Sequence, residues 1–346
     1  MTQFRRIALA ARPDGSPKPS DFRLEEAVLP DPGPGEMLLR TIYMSLDPYM
    51  RGRMDDAKSY AAPVPIGGTM EGECVAEVME SNIAGYAAGD IVLARNGWAS
   101  HGISDGTGVR KIDPGIAPIS TALGVLGMPG HTAWVGLNDI GAAKSGETIV
   151  VSAATGAVGS LVGQLAKAKG LRVIGVAGGP DKCRYAVDTL GFDACLDHRA
   201  AADARALGEE IKAAAPDGVD IYYENVGGKT LEAVLHCMNT WGRIVVCGMI
   251  AWYSGQGVAE AMPAPAVWRN ILTRRLRVQG LIIFDHYDRL PAFLDEVAPM
   301  VTAGKIQFRE TIAEGLDAAP DAFMGLLQGD NFGKQLVKVG ADPTGS

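Results

Sequence analysis

The chain has 346 residues, a length that suits about two cores, and its 47 % hydrophobic and 21 % charged residues exclude a disordered polypeptide. A net charge of −8 argues against nucleic acid and anionic membrane surfaces as partners. The opening MTQFRRIALAARPDG holds too short an apolar run for a secretory signal, and no stretch reaches transmembrane length. Cys74, Cys183, Cys195, Cys237 and Cys247 are scattered and odd in number, so no disulfide framework is implied and a cytoplasmic location is expected.

The first 126 residues read as a compact, mostly-β domain. Short strand-like runs, EMLLRTIYMSL, GECVAEVME and GDIVLAR, are separated by Pro- and Gly-rich turns such as LPDPGPGE and APVPIGG.

The pattern changes over 127–303. Thr148–Ser152 has the β-branched content of a buried strand, and Val158, Leu161, Val162 and Leu165 follow at the spacing of one helix face. Strand passes to helix through Ala154-Thr155-Gly156-Ala157-Val158-Gly159, a form of the glycine-rich turn with alanine at its first position. Such a turn aims backbone N–H groups and the positive end of a helix dipole at a phosphate. Gly156 admits the phosphate closely and Gly159 lets the helix approach the strand. Taken alone, the same residues also describe a tight turn without a ligand.

The alternation then continues. Leu171–Ala177 reads as a strand, 181–190 as a helix, 194–197 as a strand, 203–214 as a helix, GVDIYYE as a strand, 229–239 as a helix and RIVVCG as a strand. RVQGLIIF reads as a sixth strand and 288–303 as a last helix. The fold class is therefore α/β, with a doubly wound parallel sheet of the dinucleotide-binding (Rossmann) kind and its ligand crevice at the carboxyl ends of the strands. From about residue 305 the chain reads as strand, helix, turn and final strand. KQLVKV suits a strand returning to the N-terminal domain, which makes that domain discontinuous, 1–126 with 304–346.

Which dinucleotide binds depends on charge at the end of the second strand. A carboxylate there suits the ribose hydroxyls of NAD and repels a 2′-phosphate. Here the strand ends in Ala177-Gly178-Gly179-Pro180-Asp181-Lys182: Gly178 leaves room and Lys182 supplies a cation, so NADP(H) is the expected cofactor. Asp181 is the residue that would argue for NAD.

SLDPYMRG, NGWASHGISDG, LGVLGMPGHTAWVGL, AATGAVGS, AGGPDK, YYENVGG, GRIVVCGMIAWYS and DNFGKQLVKV, in this order, resemble the medium-chain dehydrogenase/reductase superfamily. The resemblance is to its zinc-independent branch of prostaglandin/leukotriene, plant double-bond and bacterial curcumin-type reductases, and implies a GroES-like β domain beside the Rossmann domain. Where zinc relatives carry Gly-His-Glu this chain reads Gly68-Thr69-Met70-Glu71, no two cysteines lie closer than ten residues, and its histidines are isolated, so no metal is expected.

The resemblance further implies NADPH-dependent reduction of the C=C bond of a small hydrophobic α,β-unsaturated ketone or aldehyde, by hydride transfer to the β-carbon. Tyr253 is then the candidate hydrogen-bond donor to the carbonyl oxygen, since a phenol with an ordinary pKa near 10 is protonated at pH 7. The resemblance equally allows Tyr253 to position the nicotinamide ribose. Tyr49 faces the cleft or packs behind it. Carried over as cofactor contacts are Gly156, Ala157, Val158 and Gly159 at the pyrophosphate, Lys182 and His198 at the 2′-phosphate, and Asn225. Cys247, Gly248, Met249, Ile250 and Tyr253 meet the nicotinamide half, Leu281, Ile282 and Ile283 offer backbone groups to the carboxamide, and Asn331 reaches back from the tail. Relatives often have tyrosine at His198, which makes the cofactor preference sensitive to histidine protonation. Asn225 and Asn331 also suit ordinary turns. The alternatives are a quinone reductase or alcohol dehydrogenase on the same scaffold, or an NADPH-binding protein without catalysis. A homodimer, joined through the sixth strand, is the expected assembly.

Overall fold

The computed structural model describes residues 1–345. These form two units, one made of Met1–Gly124 and the segment from Glu310 onward, the other of Val125–Arg309. The sequence reading puts the divisions at 126 and 304.

In the first unit one sheet runs, in spatial order, Glu310–Glu314, Lys334–Lys338, Met37–Ser45, Cys74–Ser81, Ile91–Ala94 and Arg110–Lys111, with His101–Ser104 also paired to Met37–Ser45. Its pairings are antiparallel except that between the two tail strands. Thr2–Leu9 and Phe22–Leu29 form a further antiparallel pair that the sequence reading does not anticipate. Phe22, Trp98 and Phe323 pack ring against ring in a core that draws on both ends of the chain. A buried ion pair ties the tail to the same sheet: Lys334 Nζ donates to Asp47 Oδ1 at 2.8 Å and to the Leu46 carbonyl at 2.6 Å. Breaking such a pair from one side would leave a charge stranded in a dry interior.

The second unit alternates strand and helix. Its elements are β1 (Thr148–Ser152), α1 (Gly159–Ala168), β2 (Arg172–Ala177), α2 (Pro180–Asp188), β3 (Ala194–Asp197), α3 (Ala204–Ala214), β4 (Val219–Glu224), α4 (Gly228–Leu235), β5 (Met238–Val246), α5 (Ala264–Arg274), β6 (Arg277–Gly280) and α6 (Leu290–Thr302). The six strands are parallel and lie in the order β3-β2-β1-β4-β5-β6, so the winding reverses between β1 and β4. That is the strand order of dinucleotide-binding folds, whose crevice opens where the winding reverses. β1 is buried at every residue, and Leu161, Val162 and Leu165 bury the inner face of α1.

Two elements differ from the sequence reading. The helix placed at 229–239 ends at Leu235, and Met238 already begins β5, because the Cys237 carbonyl accepts the N–H of Val219 at the foot of β4. The apolar run RVQGLIIF is strand only as far as Gly280. Leu281 and Ile283 are buried, yet the chain turns into a 3-10 segment over Ile283–Arg289. No helix among the described residues is long and apolar enough to cross a membrane.

Candidate functional site

The reversal between β1 and β4 organises the carboxyl end of the parallel sheet. After β1, Ala153 sits in the left-handed region at φ 49°, and its carbonyl accepts the N–H of Gly156 at 2.9 Å. A Cβ at Gly159 would stand 2.4 Å from that carbonyl oxygen, so only glycine lets α1 start this close to the strand. The N–H groups of Ala157, Val158 and Gly159 stand at the start of α1. They lie at the positive end of α1, an arrangement that can take a diphosphate.

Beside this turn, at the end of β4, Glu224 is buried and its Oε1 collects three donors: Ser152 Oγ at 3.1 Å, Val226 N at 2.6 Å and Gly227 N at 3.0 Å. Burial raises its pKa above the ordinary carboxylate value against these hydrogen bonds. Asn225 completes the splice, its backbone N–H donating to Ser152 Oγ at 2.8 Å and its Nδ2 to the Ser152 carbonyl at 2.7 Å. The Asn225 amide is thus engaged in holding β4 to β1.

The same turn carries the loop after β5. Cys247 and Gly248 donate to the Glu224 carbonyl at 2.9 and 3.1 Å, Ile250 to that of Asn225 at 3.3 Å, and Ala251 to that of Val226 at 2.9 Å. Trp252 closes over Gly227, where a Cβ would come within 2.9 Å of the indole. Tyr253, half-buried, folds back so that its hydroxyl oxygen accepts the N–H of Met249 at 3.2 Å. Burial pushes the Cys247 thiol up to about 12, which makes it a neutral wall rather than a nucleophile. The N–H of Leu281 is taken by the Val246 carbonyl at 2.9 Å and the carbonyl of Ile282 by Asp285 N at 3.1 Å. Those two backbone groups are therefore committed within the protein.

At the end of β2 the positive charges converge. A Cβ on Gly178 would stand 2.8 Å from Arg199 Nε and 3.0 Å from His198 Nε2, so both side chains lie across this glycine. Burial, and after it the charges of Lys229, Arg199 and Lys182, lower the pKa of His198 below its ordinary value. The imidazole is therefore mostly neutral at pH 7, which limits the histidine charge that the sequence reading considers at this position. Asp181, the residue that would argue for NAD, is exposed and pairs with Arg184 along α2. Asp197 instead braces the region, its Oδ1 accepting Gly179 N at 2.8 Å and Arg199 N at 2.9 Å.

Tyr49 and Asn331 lie in the other unit. Tyr49 is half-buried ahead of the Met50–Arg53 helix, 5.5 Å from its ring centroid to the Arg53 guanidinium carbon. Burial, then Asp47, Glu71 and Glu73, hold its phenol well above the ordinary value, which keeps it protonated. Asn331 Nδ2 donates to the Gly333 carbonyl at 2.7 Å, a turn contact.

Among the described residues no group of three or more His, Cys, Asp or Glu is arranged to hold a metal. His131 is buried with neither ring nitrogen hydrogen-bonded and stacks on Phe293. Sequence reasoning missed two contributors, Arg199 and Glu224. Arg199 directly follows His198 in the chain, but nothing local in the sequence reveals that it crosses Gly178. Glu224 lies inside the quoted segment YYENVGG, and its charge directly after Ile221-Tyr222-Tyr223 was the available signal.

The family described as the N-terminal domain of oxidoreductase matches residues 5–112, and that described as zinc-binding dehydrogenase matches residues 157–298. The NADPH-dependent curcumin reductase of Escherichia coli (strain K12) is 50 % identical over 343 residues, covering 98 % of this chain and 97 % of the relative. The NADP(+)-dependent 2-alkenal reductase of Nicotiana tabacum is 40 % identical over 334 residues, covering 94 % of each chain. The crystal structure of CurA in complex with NADPH from Vibrio vulnificus superposes with a TM-score of 0.92 at 48 % identity, over 98 % of this chain and 100 % of that one.

Proposed function

The chain belongs to the medium-chain dehydrogenase/reductase superfamily, among the curcumin and 2-alkenal reductases, and on that footing we propose that it reduces the C=C bond of α,β-unsaturated ketones or aldehydes with NADPH. The observation that carries the cofactor choice is the meeting of Lys182, His198 and Arg199 at the end of β2, with Asp181 turned away to Arg184. Cations in that position favour a 2′-phosphate, and a carboxylate would oppose it.

Gly156 lets the pyrophosphate approach closely, and Ala157, Val158 and Gly159 offer it backbone N–H groups. Gly178 gives way to the adenosine side, where Lys182, His198 and Arg199 hold the 2′-phosphate. Cys247, Gly248, Met249 and Ile250 line the nicotinamide half, on a loop that Glu224 and Asn225 fix in place. Leu281, Ile282 and Ile283 border the carboxamide; the resemblance assigns Asn331 to the cofactor and Tyr49 to the substrate, and both belong to the other unit.

When bound, NADPH supplies the hydride. Tyr253 donates a hydrogen bond to the substrate carbonyl, stabilising the negative charge that gathers on this oxygen as the β-carbon is reduced. Met249, by donating to the phenol oxygen, polarises the Tyr253 O–H toward the substrate. Solvent or a neighbouring hydroxyl protonates the α-carbon. No step calls for a metal ion, since an activated C=C bond needs less polarisation than a plain carbonyl.

A homodimer joined along β6 accompanies this reading. Arg277–Gly280 is exposed throughout at the sheet edge, and Trp268 and Leu272 of the neighbouring α5 are 67 % and 75 % exposed. The five free cysteines suit a cytoplasmic location.

The test is oxidation of NADPH and of NADH by the purified protein with a simple enone, with and without a chelator. Chelator-resistant oxidation with preference for NADPH is expected. Turnover of a plain alcohol or ketone instead would favour the alcohol dehydrogenase, and tight NADPH binding without oxidation by any electrophile would leave a non-catalytic binder.

A further inference from the structure

Lys229 follows Gly227 and Gly228, both at positive φ, and sits in the first turn of α4. A cation gains nothing from that place, because the start of a helix carries the positive end of its dipole. The half-buried side chain instead leaves α4, and its Nζ donates to the Ala201 carbonyl at 2.8 Å, in the segment that joins β3 to α3. Ala201 is itself buried, so its carbonyl needs a donor, and Lys229 supplies one.

That segment begins with the two residues that lie across Gly178. Its near end is fixed at β2 and β3: the His198 N–H donates to the Ala177 carbonyl at 3.0 Å, that of Arg199 to Asp197 Oδ1 at 2.9 Å, and those of Ala200 and Ala201 to the Asp197 carbonyl at 3.1 and 3.3 Å. Its far end is fixed by Asp203, which caps α3 by accepting the Ala206 N–H at 2.8 Å. Between these ends the brace that arrives from a different strand and helix is Lys229. Among the charges that act on His198, that of Lys229 lowers its pKa most, ahead of Arg199 and Lys182, while Asp197 opposes them.

We propose that Lys229 is a positioning residue for the 2′-phosphate: by holding the Ala201 carbonyl it keeps His198 and Arg199 across Gly178, and its charge adds to the field that favours a phosphate over a ribose hydroxyl. The proposal rests on the cofactor reading given above. Without the brace, each arriving 2′-phosphate would bear the entropic cost of ordering the segment and the long Arg199 side chain. NADH, which carries no phosphate at that carbon, would not.

The test compares the wild type with Lys229→Met, which removes donor and charge at similar length, and Lys229→Arg, which keeps both. The kcat/KM values for NADPH and for NADH with a simple enone are read on the same preparation, so that an unfolded fraction cancels in their ratio. Lys229→Met should lower the ratio about fivefold or more, through the KM for NADPH at similar kcat, and Lys229→Arg should restore most of it. An unchanged ratio in Lys229→Met, or an equal fall in both variants, would overturn the proposal. In an Arg199→Ala background Lys229→Met should cost NADPH less than in the wild type, and an equal cost in both backgrounds would overturn the action through Arg199.

Proton NMR titration of the cofactor-free protein, with the His198 signal assigned through His198→Asn, reads the same brace without activity. Loss of a neighbouring cation should raise the His198 pKa in Lys229→Met, and an unmoved value would overturn the action of Lys229 on this histidine. A wild type indifferent between NADPH and NADH would overturn the cofactor reading and with it the phosphate role, while the titration still decides whether Lys229 acts on His198.

Discussion

The hydroxyl of Ser152 at the end of β1 donates to the Glu224 carboxylate at the end of β4, 3.1 Å away, bridging the two strands between which the sheet reverses. Because Glu224 Oε1 also accepts from Val226 and Gly227, this one oxygen sets the path of the turn to which the loop 247–251 is hydrogen-bonded. Glu224→Ala leaves the N–H groups of Val226 and Gly227 without their acceptor, while the Ser152 hydroxyl keeps the Tyr223 carbonyl at 3.2 Å, and a destabilisation of about 2–3 kcal/mol is expected in urea unfolding. Glu224→Gln, which keeps an acceptor oxygen, should lose less.

The 2′-phosphate contacts proposed for Lys182 and Arg199 can be tested apart from the rest. Arg199→Ala and Lys182→Ala should each raise the KM for NADPH by roughly 10- to 100-fold, the value of a charge-assisted hydrogen bond of about 1.5–3 kcal/mol, with little effect on NADH. Steady-state kinetics with both cofactors checks this. An equal loss with NADH would place these residues elsewhere than at the phosphate.

His198 gives the preference a pH dependence. Its pKa lies below the ordinary 6.5 in the free protein, and a bound phosphate must raise it, so NADPH binding takes up a proton. Affinity for NADPH should therefore strengthen as pH falls below about 6.5. The 2′-phosphate itself titrates near pH 6, so the measurement is the difference between the wild type and His198→Asn in NADPH titrations across pH 5.5–8. Parallel curves would remove the histidine from the site.

Tyr253→Phe separates the two roles open to this residue. As donor to the carbonyl oxygen, the hydroxyl should be worth on the order of 3 kcal/mol of barrier, a loss of about 100-fold in kcat at similar KM for NADPH. A raised KM with kcat retained would make it a residue that positions the nicotinamide ribose.

His131 concerns stability rather than catalysis. Burial pushes its pKa down to about 4 from an ordinary 6.5, so between these values the unfolded chain binds more protons than the folded one. Its contribution is whole above about pH 6.5 and is lost as pH falls through about 4, amounting to roughly 3 kcal/mol at most. Urea unfolding at pH 5 and pH 7 should show the decline in wild type and a flatter profile in His131→Leu.

The parts legible in the sequence were those fixed by local pattern. The buried strand Thr148–Ser152, the glycine turn and the Leu161-Val162-Leu165 face of α1 carry their own periodicity, and the structure has them at those residues. RVQGLIIF was misread because Leu281 and Ile283 are as apolar as strand residues, and only tertiary packing tells a buried turn from a strand. The pair Thr2–Leu9 and Phe22–Leu29 escaped because Arg5-Arg6 and Glu25-Glu26 interrupt any alternation, although Arg6 pairs with Glu25 across the two strands. Arg199 was invisible for another reason: its approach to Gly178 is made by the return of β3 alongside β2, which no window of sequence contains.

The pairing of Leu336–Lys338 with Tyr43–Ser45 sets an order of events during synthesis. Residues 125–309 are contiguous and hold all six parallel strands, so this unit has everything it needs while the chain is still being made. The earlier-made β strands must wait, with one edge of Met37–Ser45 unfilled and Asp47 without its Lys334, until nearly the last residues emerge. The nascent chain thus carries an open sheet from early in its synthesis, its nucleotide-binding unit is complete only once residue 309 has been made, and any shortening of the tail before Lys338 leaves that sheet open for good.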